Sequence, residues 1–219
     1  MVQGQFLQFL MKITRPQHVL ELGCFMGYSA MAMADGMPVG STLYTCEIDS
    51  KAAELSQELF KEHGYHSSSN SANIQLLKGP AMSSLQELAK KNIKFDAIFL
   101  DADKGGYIKY YDFIMDNDML AENGYILADN TLYYGLVLDA DKRHKATGST
   151  AAASDVDTTA TTKPSLTLSQ QSIKFNDPAY KQAVGDKIDK FNKHVVNDPR
   201  ATVVLLPAFD GLGIIMKKK

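Results

Sequence analysis

The sequence has few of the features that mark secreted or membrane-embedded proteins. Its only two cysteines, Cys24 and Cys46, lie in apolar strand or turn contexts, which predicts reduced, buried thiols and a cytoplasmic location. No run approaches the roughly 18 apolar residues of a membrane span. The N-terminal residues lack a basic start and a small-residue cleavage site, so they do not predict a signal peptide.

Charge and motif content exclude further classes. The formal net charge is only -2, which gives no electrostatic reason to expect a nucleic-acid partner or a membrane surface. The histidines are scattered, and no pair has the spacing of a zinc site. The chain also lacks the Gly-x-Gly-x-x-Gly turn of dinucleotide-binding proteins.

The apolar pattern predicts one domain over residues 1–219, because a chain of this length can bury a single sizeable core. The predicted helices cover residues 4–13, 29–34, 51–62, 82–91, 107–115 and 178–195. The predicted strands cover residues 18–22, 42–48, 74–77, 95–100, 125–128, 202–206 and 212–216. This alternation of strands and helices predicts an α/β fold with a doubly wound, mostly parallel Rossmann-like sheet and a C-terminal antiparallel strand.

The segment 139–172 interrupts this alternation. It is rich in Ala, Thr, Ser, Asp and Lys, and it has almost no large apolar residue before Leu166. Such a composition cannot support a packed core, so we predict a long flexible loop. The loop is either a passive insertion or a lid over a substrate pocket.

Carboxylates follow two of the apolar strands. Asp101 and Asp103 follow the strand at 95–100, with Lys104 beside them, and Asp129 and Asn130 follow the strand at 125–128. Ligands bind at the carboxyl ends of parallel strands in open α/β sheets. Oxygen ligands of this kind favour Mg²⁺, with Mn²⁺ or Ca²⁺ as alternatives, over zinc.

A glycine turn follows the first strand. Gly23 and Gly27 would let the backbone approach a ligand, and the carboxylate of Glu21 precedes them. A carboxylate repels phosphate but can neutralise a cationic amino group. Glu47, or its neighbour Asp49, ends the second strand where a ribose would present its hydroxyls. An adenosine that carries a cationic amino acid and no phosphate is S-adenosylmethionine, which these residues therefore predict as the cofactor.

The ordered motifs of the chain resemble those of the cation-dependent class I S-adenosylmethionine O-methyltransferases, which include the caffeoyl-CoA and catechol O-methyltransferases. The resemblance covers nearly the whole chain outside 139–172. Its main motifs are Gly4-Gln5-Phe6-Leu7, Leu20-Glu21-Leu22-Gly23, Gly27-Tyr28-Ser29, Gly79-Pro80-Ala81, Asp101-Ala102-Asp103-Lys104, Asp129-Asn130-Thr131-Leu132 and Asp210-Gly211.

The resemblance implies a role for each matching residue. Asp101, Asp129 and Asn130 would be the metal ligands, and Lys104 would be the catalytic base that removes the proton from the acceptor hydroxyl. The residues assigned to the cofactor site are Glu21, Gly23, Gly27, Tyr28, Ser29, Glu47, Ala81 and Asp101. Asp103 stands where caffeoyl-type members have an acid, which favours that branch.

The predicted activity is metal-dependent O-methylation of a small-molecule diphenol with adjacent hydroxyls. The alternatives are a nucleotide-dependent oxidoreductase and a catalytically impaired methyltransferase-like binding protein. Relatives are often dimers, so we expect a homodimer. Members usually carry a longer stretch before the first helix, so either a leading segment is missing or the site is more open. Five tyrosines near the strand ends could stack on a flat acceptor or pack in the core, namely Tyr107, Tyr110, Tyr111, Tyr133 and Tyr134.

Overall fold

The structure is a computed structural model, and it describes residues 2–66, 71–138 and 177–218. The strands are β1 (His18–Leu22), β2 (Thr42–Glu47), β3 (Asn73–Lys78), β4 (Phe95–Leu100), β5 (Leu120–Asp129), β6 (Ala201–Leu206) and β7 (Leu212–Lys217). The helices are α1 (Val2–Thr14), α2 (Tyr28–Ala34), α3 (Ser50–Glu62), α4 (Ala81–Lys90), α5 (Tyr107–Asp116) and α6 (Pro178–Asn197).

The strands form one mixed sheet in the order β3-β2-β1-β4-β5-β7-β6. Strands β1 to β5 pair in parallel, whereas β7 is antiparallel to both of its neighbours, β5 and β6. The predicted fold class is therefore confirmed. The chain moves outward from β1 to β3 and then returns to place β4 on the other side of β1. This reversal creates the crevice in which doubly wound sheets bind ligands.

Helices cover both faces of the sheet. On one face α4, α5 and α6 pack against strand residues such as Leu20, Leu22 and Leu100. On the other face α1, α2 and α3 pack against residues of the opposite parity, such as Val19 and Leu43. The central strands are nearly continuous apolar runs because both of their faces are buried.

Strand β5 is the element whose start differs most from the prediction. It begins at Leu120, whereas the apolar pattern predicts a start at Tyr125. The intervening segment has the polar composition of a turn. It is extended because Leu120 pairs with Phe95 of β4, and Gly124 lies where a Cβ would be 2.6 Å from the Phe95 carbonyl oxygen. Tertiary pairing overrides local propensity here.

Three further predictions concern the cysteines, the membrane and the long loop. Cys24 and Cys46 are buried and form no disulfide, as predicted. Across residues 2–66, 71–138 and 177–218, none of the helices has the length and apolar character needed to cross a bilayer. The segment 139–172 lies outside the described residues, so its flexibility and its role as a lid stay predictions.

Candidate active site

The strand register brings the predicted site residues to one edge of the sheet. Leu22 of β1 pairs with Cys46 of β2 on one side and with Leu100 of β4 on the other. Leu100 in turn pairs with Ala128 of β5. The residues that follow these positions therefore lie side by side along this edge. Glu47 and Gly23 form one half of the site, and Asp101 and Asp129 form the other half. The Asp101 N–H also donates to the Leu22 carbonyl at 3.0 Å.

The glycine turn joins the two halves. Gly23 has φ +103°, and a Cβ there would lie 2.8 Å from the carbonyl carbon of Asp101. Gly27 has φ +78°, and a Cβ there would lie 2.7 Å from the ring of Phe60. Both positions therefore require glycine for conformation and for space. The turn contacts Asp101, the first residue after β4. The predicted cofactor half and the predicted metal half are therefore in direct contact.

Glu21 is fully buried beneath this turn. Its carboxyl group accepts a hydrogen bond from the Ser29 hydroxyl at 2.5 Å and one from the Thr45 hydroxyl. Burial raises the pKa of Glu21 to about 8, and these two hydroxyls oppose the shift. Sequence reasoning missed Thr45, although it pairs directly with Glu21 in the parallel register of β1 and β2.

Glu47 and Asp49 have different roles in the structure. The Glu47 carboxylate accepts the N–H of Phe25 at 2.6 Å and that of Asp49 at 2.8 Å. Asp49 is the N-cap of α3, and its carboxylate accepts the N–H groups of Lys51 and Ala52. Because Asp49 is used by the helix, Glu47 is the better candidate for a ligand contact at this strand end.

Tyr28 and Ala81 are the remaining residues assigned to the cofactor side. Tyr28 begins α2 and is 54% exposed, and its hydroxyl lies 2.6 Å from where a Cβ on Gly4 of α1 would be. Ala81 begins α4 directly after the turn at Gly79. The Gly79 N–H donates to the Glu47 carbonyl at 2.8 Å, so Ala81 starts close to the end of β2.

The metal half contains the carboxylates of two adjacent strand ends. Asp101 accepts a hydrogen bond from Lys104 Nζ at 2.8 Å. Asp129 is only 5% exposed, and its carboxylate accepts the N–H of Asn130 at 2.8 Å. Burial first, and then the nearby charge of Asp101, raise the pKa of Asp129 to about 6.

The chemistry of these donors fits a hard divalent cation. Two carboxylates that raise a pKa by mutual repulsion gain from a cation placed between them, and Asn130 can add an amide oxygen. Among residues 2–66, 71–138 and 177–218 there is no group of three or more His, Cys, Asp or Glu side chains that could hold a metal. The candidate set has two acids and one amide, so it depends on Asn130 and on oxygen atoms supplied by the ligand or by water.

The loop between β6 and β7 supports the predicted metal half. The N–H of Thr131 donates to the Gly211 carbonyl, and that of Leu132 donates to the Asp210 carbonyl, both at 2.9 Å. Asn192 of α6 also donates from its side-chain amide to the Thr131 carbonyl at 2.7 Å. These contacts fix the segment directly after Asn130, and their supporting role is visible only in the tertiary structure.

The tyrosines do not act as a group. Tyr107 and Tyr111 are fully buried, and Tyr133 is nearly so, which leaves no exposed ring face on the first two for a flat acceptor. Tyr110 donates to the Asp103 carboxylate at 2.6 Å. Tyr134 is 69% exposed and is the one of the five with a largely accessible ring.

The chain matches one protein family over almost its whole length. The model of a family described as O-methyltransferase matches residues 1–218. The "O-methyltransferase ankF" of Aspergillus thermomutatus is 34% identical over 218 residues, which are 99% of this chain and 77% of that protein. The "Caffeoyl-CoA O-methyltransferase" of Medicago sativa is 28% identical over 220 residues, which are 99% of this chain and 73% of that protein.

A solved structure supports the same relationship. The SAH-bound Podospora anserina methyltransferase PaMTH1 superimposes with a TM-score of 0.75 at 31% identity, over 100% of this chain and 79% of that chain. This chain, which has the strand order, the glycine turn and the acids described above, is thus similar to a methyltransferase of known structure.

Proposed function

This chain belongs to the O-methyltransferase family, and we propose that it is a divalent-metal-dependent member that methylates one of two adjacent hydroxyls on an aromatic acceptor. Membership makes it an S-adenosylmethionine-dependent O-methyltransferase of the caffeoyl-CoA and catechol type and removes the oxidoreductase alternative. The metal dependence and the identity of the acceptor are not given by family membership and are part of the proposal. The observation that carries them is the pair of carboxylates, Asp101 and Asp129, at neighbouring strand ends beside Lys104.

The metal half would hold the cation with Asp101, Asp129 and Asn130. Asp129 is buried and repelled by Asp101, so it gains most from a divalent charge. The anchoring of Asp129 and of the segment after Asn130 keeps these groups in place before any ligand binds. This preorganisation supports a ligand site rather than a surface acid cluster.

The cofactor half would hold the adenosine and the methionine part of S-adenosylmethionine. Glu47 would accept the ribose hydroxyls, since each carboxylate oxygen has a second lone pair beyond its backbone contact. Gly23 and Gly27 would let the backbone approach the ligand. Glu21, Tyr28 and Ser29 would surround the methionine part, and Ala81 would contact the adenine.

Bound S-adenosylmethionine supplies the methyl group, and a bound divalent cation lowers the pKa of the acceptor hydroxyl. Lys104 then takes the proton from that hydroxyl at Nζ, next to Asp101. Asp101 keeps Nζ in place and disperses the positive charge that it gains. The direct contact between the Gly23 turn and Asp101 sets the distance between the two halves, so positioning is the main contribution of the fold.

This arrangement supports an acceptor with adjacent hydroxyls, because two neighbouring oxygens can bind one cation as a chelate. The similarity to a protein named caffeoyl-CoA O-methyltransferase and the acid at Asp103 favour a caffeoyl-like diphenol over a simple catechol. A homodimer stays an expectation taken from relatives.

The test is transfer of a labelled methyl group from S-adenosylmethionine to a panel of vicinal diphenols, with the monohydroxy analogues as matched controls. We expect turnover with Mg²⁺, loss of turnover in EDTA, and a loss on the order of a hundredfold for Asp129→Ala. Asp103→Ala should have a smaller effect. Full activity in EDTA together with an unchanged Asp129→Ala rate would refute the metal. Cofactor binding without turnover on any diphenol would favour the impaired binding protein.

A further inference from the structure

The buried hydroxyl of Tyr107 lies directly beneath Lys104. Tyr107 is the first residue of α5 and is completely buried. Lys104 Nζ donates to its hydroxyl oxygen at 2.6 Å. The hydroxyl in turn donates to the carbonyl of Leu100, the last residue of β4, at 2.9 Å, and it lies 3.2 Å from the carbonyl of Asp129.

A hydroxyl has one proton, and here that proton is used by backbone carbonyls. Its oxygen can therefore only accept from Lys104, whether the lysine is an ammonium or an amine, because both forms have N–H groups. The completely buried ring packs edge-on against Phe191 of α6 with ring centroids 5.2 Å apart, and this packing restricts its movement. The acceptor beneath Lys104 is thus fixed by the fold.

The Nζ atom of a lysine has three positions for hydrogen-bond contacts beyond its carbon. Asp101 occupies one at 2.8 Å, and Tyr107 occupies a second at 2.6 Å. In the part of the chain that the structure describes, Lys104 makes no third hydrogen bond. The side-chain carbon, Asp101 and Tyr107 therefore take three of the four tetrahedral positions around Nζ, and the fourth position is open.

We propose that Tyr107 is a positioning residue for Lys104: its hydroxyl accepts one N–H, Asp101 accepts another, and the third position on Nζ is left for the acceptor hydroxyl. This inference rests on the proposed function, in which Lys104 receives the acceptor proton. In that step the O–H bond of the acceptor breaks and a new N–H bond forms at the open position. The other two hydrogen-bond positions keep their contacts, so the amine need not reorient before it reacts.

The test compares Tyr107→Phe with Tyr111→Phe. Tyr111 serves as the control, because it lies one turn further along α5, is equally buried, and also loses a hydroxyl contact, the one to Asp198 at 2.9 Å. The Tyr107 hydroxyl has three contacts, and only the one with Lys104 should affect kcat. With caffeoyl-CoA, S-adenosylmethionine and Mg²⁺, Tyr107→Phe should lower kcat about tenfold or more, the effect of one hydrogen bond to a charged group. The KM for caffeoyl-CoA and the cofactor Kd from calorimetry should stay within about twofold, and Tyr111→Phe should keep its kcat.

The same two changes are repeated in a Lys104→Met background. There, Tyr107→Phe should have no further effect on kcat, because its action passes through the lysine. An equal fractional loss in both backgrounds, or a normal kcat for Tyr107→Phe, overturns the positioning role while the proposed function stands. A Lys104→Met enzyme with the normal rate overturns the proton-accepting role of Lys104 and this inference with it.

A second variant covers the case in which Tyr107→Phe unfolds. Site-specific 3-fluorotyrosine at position 107 keeps the ring and the hydroxyl but makes the oxygen a weaker acceptor. This variant should also have a lower kcat than the wild type, and its melting temperature should be unchanged. An unchanged kcat for this variant overturns the proposal.

Discussion

Replacement of Glu21 by glutamine should change how the stability of this enzyme depends on pH. Burial raises the pKa of Glu21 from 4.5 to about 8. Between these two values the unfolded chain binds fewer protons at this site than the native protein does. The free energy of unfolding therefore falls as the pH rises through this window, and it is highest at the acidic end. Glutamine does not ionise, so Glu21→Gln removes this contribution.

The size of the effect follows from the window. One group contributes a slope of about 1.4 kcal/mol per pH unit while it is protonated only in the native state. Between about pH 5.5 and pH 7.5 the difference in unfolding free energy between wild type and Glu21→Gln should change by roughly 2 to 3 kcal/mol. The pKa of Asp129 is also raised, to about 6, so this residue makes the unfolding free energy fall with rising pH in a lower pH range. Asp129 is present in both proteins, so its contribution cancels in the difference.

The assay is urea unfolding followed by circular dichroism, without cofactor and with the cysteines reduced. Glu54→Gln removes an exposed glutamate on α3 and serves as the control for the change of charge alone. If the stabilities of wild type and Glu21→Gln run parallel over this range, Glu21 is ionised in the native protein and our account of its burial is wrong. A curve for Glu54→Gln that matches the one for Glu21→Gln would have the same meaning.

Two further pairs of substitutions test the cofactor half. Glu47→Ala should weaken S-adenosylmethionine binding at least about tenfold by calorimetry, whereas Asp49→Ala should cost about 1 kcal/mol of stability as a lost helix cap and leave the affinity intact. Equal affinities for both variants would argue against a ribose contact at Glu47. Gly23→Ala, at φ +103° against the Asp101 carbonyl, should lose more stability in urea than the roughly 1 kcal/mol of backbone strain alone. Gly40→Ala, at φ +82° with no atom within 4 Å, should show that strain only, and an equal loss at both sites would contradict the close approach.

The amino-acid sequence alone predicts most of the fold and the residue types of the site. The apolar run at Phe95–Leu100 appears in the structure with the predicted bounds, because a strand buried on both faces has a composition that no solvent-exposed element shares. The carboxylates at its end had to meet those after Ala128, because parallel strands end at a common edge. Such patterns are local, and they carry their own physical cause.

The tertiary structure decided which contacts these residues make within the protein. The sequence favours Glu47 and leaves Asp49 as a neighbouring candidate, whereas the folded chain shows that Asp49 caps α3. Tyr107 has the composition of a core residue and is one, yet its hydroxyl meets Lys104 because α5 begins over the ends of β4 and β5. Contacts of this kind join segments that are distant along the chain, and a sequence pattern with a period of two or 3.6 residues contains no information about them.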